Sequence, residues 1–586
     1  MDRAASGRLS AAMIFRCLCA LSLAVASAHA AAIRASNDPV KDERPITAKD
    51  REHWAWKPLM KVEATNLDAV VAKKTPIEKE ANAATLIRRV TFDLTGLPPS
   101  ASDLSDMSDW SDKKYEAFVD RLLASPRYGE HWAQWWLDLA RFAESDGFEF
   151  DAVRERAWQY RDWVIDSLNA DMPLDEFVRQ QLAGDLTGAE TATGFLMAGP
   201  DMPDVNNQIE RRHIFLNDMT ATVGSVCLGL TFGCAQCHDH PYDPISQADF
   251  YRLRAFFDAT VMPKERKQVG PVARVVTEGV PASVVFVRGE SKRPGPAVQP
   301  AFPRIGLTTP QSERPDRVAL AQWITSRDNV LFARTMANRL WQQHFGKPLA
   351  GNPGDLGHQG EAPTHPELLD WLATELPRQN WSLKKLHKLI VMSRTYRQAA
   401  PQQKRLTGEM LRDALIAIGS GLNTQTSGPS VRLPLPKEIS DTLLKKQADI
   451  TPDTAQHRRR SIYTFARRNQ RNPLFELFDR PDAQASCSRR NESTTAPQAL
   501  TMLNSDFVHE TAASLAKRLT KAHGSETEKI IQEATQVCLS RNTSPTEIEA
   551  GKAFLEKQIT FAGSFEEAVK DYCLAVLNSN AFVFVD

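Results

Sequence analysis

The sequence predicts a mainly α protein, with two helical domains joined by a proline-rich connector that carries a small β element. Apolar residues recur at helical spacing on both sides of that connector, as in Tyr115, Phe118, Val119, Leu122 and Leu123. Nine prolines fall between Pro263 and Pro315, a density that excludes long helices there. Within that stretch Val272 to Val276 and Val284 to Val287 read as two short strands, expected to be the arms of one hairpin. At 586 residues the chain exceeds one ordinary core. The expected division is a signal segment over 1–30, a helical domain over 31–258, the connector over 259–315 and a second helical domain over 316–586.

The N-terminus reads as an export signal. Arg3, Arg8 and Arg16 precede an apolar stretch from Cys17 to Ala28, and Ala28-His29-Ala30 fits a small-residue cleavage site. The stretch is too short to span a bilayer and no stop-transfer pattern follows, so the expected product is periplasmic or secreted, with no transmembrane anchor. Ser111 and Asp112 can cap the helix that holds Tyr115 to Leu123. An aromatic-rich helix is expected from about Gly129 to Phe142, with Trp132, Trp135, Trp136 and Leu139 toward the core. Two further helices, Trp158 to Leu168 and Leu174 to Leu182, are split by Asp171-Met172-Pro173. The Val-, Leu- and Met-rich segment from Gln208 to Phe232 reads as a helix leading to Cys234. Beyond the connector, helices are expected at Arg317–Thr325, Ala333–Phe345, Pro366–Leu376 and Leu383–Ser393.

Hydrophobic residues make up 42% and charged residues 25%, which is globular usage. Lys plus Arg and Asp plus Glu both number 72, so net charge gives no argument for nucleic acid or an anionic membrane. Cys227, Cys234, Cys237, Cys487, Cys538 and Cys573 remain after signal removal, too few for a disulfide framework in a chain of this size. One bridge in the second domain is expected, with Cys487 to Cys573 favoured over pairs involving Cys538.

The most informative motif is Cys234-Ala-Gln-Cys237-His238. C-x-x-C-H is the attachment signature of c-type haem: each thiol adds across a vinyl group of the porphyrin, and the imidazole becomes an axial iron ligand. Haem c is therefore the expected cofactor, held by Cys234, Cys237 and His238, and the expected export fits it. Met202, His213, Met219 and His131 are the candidates for a sixth ligand. His240, beside His238, opens an alternative in which the Cys-His-His cluster holds zinc or non-haem iron for a hydrolase or lyase. A thioredoxin-like dithiol is disfavoured, because its C-x-x-C follows a strand.

Three segments of the first half, Leu86–Pro99 (LIRRVTFDLTGLPP), Trp136–Gly147 (WLDLARFAESDG) and Leu228–Pro244 (LGLTFGCAQCHDHPYDP), together resemble the planctomycete-type secreted cytochrome-like proteins. The second half resembles that family's C-terminal partner domain of unknown function in Asn338–Gly346, Gln359–Trp371, Arg460–Phe465 and Leu577–Phe582. The resemblance implies a secreted redox-type protein, associated with bacteria that degrade complex polysaccharides. Many relatives carry an additional N-terminal cytochrome module with its own C-x-x-C-H; this sequence shows no second such motif, so no intramolecular electron relay from that module is expected.

Three other groups carry chemistry. Arg141, Glu144 and Asp146 lie at the expected end of the Trp-rich helix. Arg141 and Glu144 at i, i+3 could share a face and move a proton, though an ion pair with a cap explains the same spacing. His358, Glu361, His365 and Glu367 resemble a metal set, but Thr364 and Glu367 read as a capping box. Thr495 to Gln498 likewise reads as a helix start. Arg458, Arg459, Arg460, Arg467, Arg468 and Arg471 surround an apolar strand-like run and suit an anionic polysaccharide, against the plainer reading of a solvated strand with charged ends. The expected partners are a redox protein or such a glycan. A non-catalytic glycan-binding envelope protein is the remaining alternative.

Overall fold

The computed structural model describes residues 43–104, 110–202, 206–262, 270–305, 316–399, 403–443 and 449–586; the expected signal segment lies outside them. The described residues are mainly helical, and their strands form three two-stranded antiparallel sheets. Local signals place most helices. Ser111 caps Asp112–Ala124, which buries Tyr115, Phe118, Val119, Leu122 and Leu123 as their spacing requires. Pro126 opens the Trp-rich helix Pro126–Leu139. Thr495 and Gln498 form the capping box of Ala496–Asn504.

The helix Ala83–Thr95 links two hydrophobic clusters. Leu86, Ile87, Val90 and Leu94 enter the first, which runs from Ala55 to Tyr463; Phe92 enters the second, built from Leu406 to Val585. The first cluster crosses the connector, taking in Val285, Val298, Phe302 and Ile305 with the helix Val330–Phe345 beyond. Each such aliphatic or aromatic side chain contributes about 1.5–3 kcal/mol on burial. Proteolysis is expected to cut first in the connector, as its composition suggests, and the shared core should then hold the pieces together. A nicked chain that shows two bands under denaturing conditions should still elute at intact size. Separate elution of the pieces would contradict the shared core.

Several local expectations change. The two valine-rich runs both form strands but do not pair with each other: Arg274–Val275 pairs with Thr260–Val261, and Val284–Phe286 with Pro294–Ala297. The second hairpin turns through Val287–Gly289, where Arg288 and Gly289 have φ of 55° and 71°. The helix entering the C-x-x-C-H segment stops at Val223, passes through a π-helical turn over Gly224–Leu228 and ends on Gly229 in the left-handed region. A Cβ on Gly229 would lie 2.6 Å from Thr335 Oγ1, so the backbone breaks where it meets the second half. Thr364 does not cap Pro366–Arg378. Its amide and hydroxyl donate to the Leu349 carbonyl, and Glu367 pairs with Lys73, leaving His365 at the cap position.

The arginine-rich segment is not a solvated strand. Arg459, Arg460, Arg467 and Arg468 are buried around the short 3-10 turn Ser461–Tyr463. Cys487 and Cys573 do not pair: both are free thiols, Cys573 in the second core and Cys487 in a loop whose amide donates to the Asp138 carbonyl.

Candidate functional site

Cys234 and Cys237 lie on and just after the 3-10 turn Phe232–Gln236, which is anchored by the buried Phe232 and Ala235. The turn is held from below. Tyr251 Oη and Gln247 Nε2 both donate to the Gln236 carbonyl, at 2.9 and 3.0 Å, and the Gln247 amide donates to Asp239 Oδ1 at 2.8 Å. Cys234 is exposed and Cys237 half-buried. Burial raises the Cys237 thiol above its ordinary value, with the Gln236 contact opposing it. A raised thiol is the reverse of what an exchange-active dithiol needs.

Gly289 sits over Cys237. A Cβ there would lie 2.7 Å from Cys237 Sγ and 3.2 Å from the Gln236 carbonyl oxygen, so only glycine lets the turn pack this closely on the thiol. His213 fixes this turn: its Nε2 donates to the Gly289 carbonyl at 2.8 Å and its Nδ1 accepts from Arg254 at 3.0 Å. Both nitrogens are committed, which removes His213 as an iron ligand. Met219 is buried in the core, and His131 packs by Gly96 and Trp132. His238 is exposed, with Nδ1 2.7 Å from the Asp239 carbonyl. A carbonyl only accepts, so Nδ1 carries the proton and Nε2 presents its lone pair.

His240 is arranged differently. Its Nδ1 accepts the Asp243 amide at 2.8 Å, and its Nε2 lies 3.2 Å from Thr231 Oγ1, which donates onward to Asp355 at 3.5 Å. Burial lowers the His240 imidazole, against the pull of Asp243 and Asp355. Among the described residues no group of three or more His, Cys, Asp or Glu is arranged to hold a metal ion.

The sequence reading missed the group this segment joins. Asp243 is fully buried, and its Oδ1 accepts from the His358 amide at 2.8 Å and from His358 Nδ1 at 3.0 Å. His358 stacks on His53 with centroids 4.3 Å apart. Burial first, then the neighbouring His358, brings His53 down to about 4. Asp243 Oδ2 is buried without a hydrogen-bond partner among the described residues. The result is a carboxylate-oriented imidazole, made of residues 115 positions apart. Gly357 permits it: a Cβ would lie 2.3 Å from Asp243 Oδ2 and 2.5 Å from Oδ1. Gly357→Ala is expected to force the pair apart and cost about 1–3 kcal/mol. Thermal unfolding of the variant measures this, and an unchanged midpoint would refute the tight contact.

Arg141, Glu144 and Asp146 are not on a helix face. The helix ends at Leu139, and Arg141 has φ of 50°, which stops the helical path. Arg141 is buried and donates through Nε and Nη2 to Asp218, at 3.0 and 2.6 Å. Glu144 accepts from Ser430 Oγ and the Ala466 amide, and burial raises its carboxyl despite Arg161. Asp146 pairs with Arg154 at 2.6 Å. The three are spread over separate buried ion pairs and caps that tie the chain after the Trp-rich helix to both halves.

The second half also holds the C-x-x-C-H segment. Arg339 is buried and donates to the carbonyls of Val226 and Ser225 at the end of the π-helical turn, and burial brings its guanidinium down to about 10. Asn338 forms a two-way bond with the Ala350 backbone.

Residues 61–261 match the PSCyt2 family, described as a protein of unknown function (DUF1549), and residues 316–555 match the PSD1 family, likewise of unknown function (DUF1553). The chain thus carries two planctomycete-type family regions, one on each side of the connector. No curated protein and no solved structure matches the chain. The C-x-x-C-H segment and Asp243 lie in the first region, and His358 and Arg339 in the second. No helix among the described residues is long and apolar enough to cross a membrane.

Proposed function

We propose that this is an exported c-type haem redox protein, acting in electron transfer or as an oxidoreductase near extracellular polysaccharides. The observation that carries the reading is the set of donors at one surface: exposed Cys234, half-buried Cys237, and His238 with Nδ1 on a carbonyl and Nε2 presented. These residues fit haem c by donor chemistry. Cys234 and Cys237 would hold the porphyrin edge and His238 the iron. Bound haem would supply a one-electron iron couple. The Asp239 carbonyl orients the His238 ring, and His213, through the Gly289 carbonyl, fixes the turn that packs on Cys237. Tyr251 and Gln247 keep the turn in place through the Gln236 carbonyl.

Cys234→Ser and Cys237→Ser, made in a host with cytochrome maturation, are each expected to remove one thioether and shift the reduced α-band of the pyridine haemochrome. His240→Ala should leave attachment intact, because His240 serves Asp243 and Thr231. Loss of zinc or iron on His240→Ala from a protein without porphyrin would overturn the haem reading in favour of the metal-dependent alternative.

A further inference from the structure

A second candidate site lies in the second family region, apart from the C-x-x-C-H surface, and does not rest on the haem reading. A cavity of about 40 Å³ opens where the segment 431–435 runs beside 464–472. That is roughly three times the space one water needs, enough for one sulfate- or carboxylate-sized group. The two segments are locked together: the Val431 amide donates to the Tyr463 carbonyl at 2.7 Å, and the Phe465 amide to the Val431 carbonyl at 2.9 Å. Arg432 is held by Thr451, its amide donating to Oγ1 at 2.9 Å and its carbonyl accepting the Thr451 amide at 3.0 Å. The backbone thus fixes where the Arg432 side chain starts.

The lining is rich in donors that solvent can reach. Arg432 is 23% exposed, and its ion pair with Asp449 is 3.8 Å long, beyond hydrogen-bond reach, with Asp449 itself 63% exposed. Among the described residues its guanidinium therefore meets no acceptor. Asn472 accepts the Leu474 amide through Oδ1, which leaves Nδ2 to donate, and the Thr464 hydroxyl has no partner among the described residues. Both residues line the cavity, and neither of these atoms is sealed from solvent. Arg467 also lines it, buried and paired with Asp151 at 3.5 Å. The Phe465 ring faces both cations, with the Arg432 and Arg467 guanidinium carbons 4.8 and 5.5 Å from its centroid. Burial lowers the Arg467 guanidinium; Asp151 opposes this and Arg432 adds to it, so the two cations repel each other. Asp449 is the one acid among the lining residues, and an exposed pair of that length offsets little of the charge. A group suited to these walls accepts several hydrogen bonds and carries negative charge.

We propose that this cavity binds a single oxyanion group, a sulfate, phosphate or carboxylate, held by the Arg432 guanidinium with the Thr464 hydroxyl and Asn472 Nδ2, in the field of Arg467. Leu433 and Leu435 complete the lining and offer an apolar surface to whatever carries the group. Of the arginine-rich run only Arg467 takes part. The residue that grips the anion, Arg432, lies outside that run.

The test is calorimetric titration of the full chain at low ionic strength with sodium sulfate, sodium phosphate and sodium acetate, repeated with chondroitin sulfate and desulfated chondroitin. Saturable binding of at least one small anion is expected, weakening as salt is added. Arg432→Gln should weaken it at least about tenfold and Thr464→Val about threefold, the effects of losing a charge-assisted and a neutral hydrogen bond. Lys557→Gln, which removes the same charge from an exposed position on the helix Pro545–Ala562 outside the lining, should leave it unchanged. Melting curves establish that each variant is folded, and Thr464→Val keeps the proposal testable should Arg432→Gln unfold. A polymer that binds more tightly than the small anions, and loses that advantage in Arg432→Gln, supports the proposal with the group carried on a glycan; small anions binding alone support it with a free ion. No saturable binding of any small anion, undiminished binding in folded Arg432→Gln, or an equal loss in Lys557→Gln would each overturn it.

Discussion

Arg460→Met is expected to destabilise the protein by about 3–5 kcal/mol, the range for removing one partner from a buried ion pair. The Arg460 side chain is buried, with Nε 2.8 Å from Asp413 and Nη1 2.9 Å from the Thr95 carbonyl and 3.2 Å from Glu130. Those partners come from the helices Gly408–Ile418, Ala83–Thr95 and Pro126–Leu139, so one guanidinium fastens the two halves. Methionine fills similar volume and leaves buried Asp413 with its Ser461 hydrogen bonds and the longer Arg412 contact in place of a direct ion pair, while Glu130 keeps Arg127. Asp413→Asn added to Arg460→Met should recover part of the loss, because it removes one uncompensated charge. Urea unfolding of the single and double variants measures both effects. A loss below about 1 kcal/mol in the single variant, within the range of an exposed pair, would contradict this role.

Acid is expected to loosen the fold well above the carboxylate range. His344 and His387 are buried and share one hydrogen bond of 2.8 Å, Nε2 to Nδ1, while His387 packs tilted against Trp132 with centroids 3.9 Å apart. Burial, reinforced by His344 and His131, holds His387 well below the ordinary imidazole value; burial first, then Arg460, brings His131 down to about 3. These rings are neutral in the folded chain, whereas the unfolded chain takes up protons below about pH 6.5. The unfolded state therefore binds more protons in that window. Stability is greatest above pH 6.5 and declines as pH falls toward the folded values. For His131, whose folded value lies near 3, the slope approaches about 1.4 kcal/mol per pH unit, or roughly 2 kcal/mol between pH 6.5 and 4.5, and His387 adds in the same direction. Asp93 is held below its ordinary value by Lys404 and His344 against burial, so its contribution is lost only below about pH 4, outside this window. His387→Gln, which can still bond His344, should flatten the dependence. Equal slopes for parent and variant would place the proton uptake elsewhere.

Local elements were legible in the sequence, and their partners were not. The spacing of Tyr115 to Leu123 specifies a helix face without reference to the rest of the chain, and it appears as Asp112–Ala124. The break before the C-x-x-C-H segment was also written in Gly224 and Gly229, yet the apolar residues around them favoured a continuous helix. Strand pairing is tertiary, so the valine-rich runs gave strands but not neighbours. Arg459, Arg460, Arg467 and Arg468 resemble a surface patch in sequence, because their burial depends on acids, rings and carbonyls supplied by distant segments. The Asp243–His358 pair was hidden for the same reason. Asp243 was visible beside His240 and His358 beside Glu361, but only the approach of Gly357 to Asp243 joins them.

The measurement that bears most directly on the proposed function is the haem content of the mature chain, made with cytochrome maturation active and extracted with acid-acetone. The account predicts that haem stays with the protein, gives a pyridine haemochrome spectrum typical of two thioether links, and is lost or changes its axial ligation in His238→Ala. A colourless, folded protein whose Cys234 and Cys237 remain unmodified by mass spectrometry would contradict it.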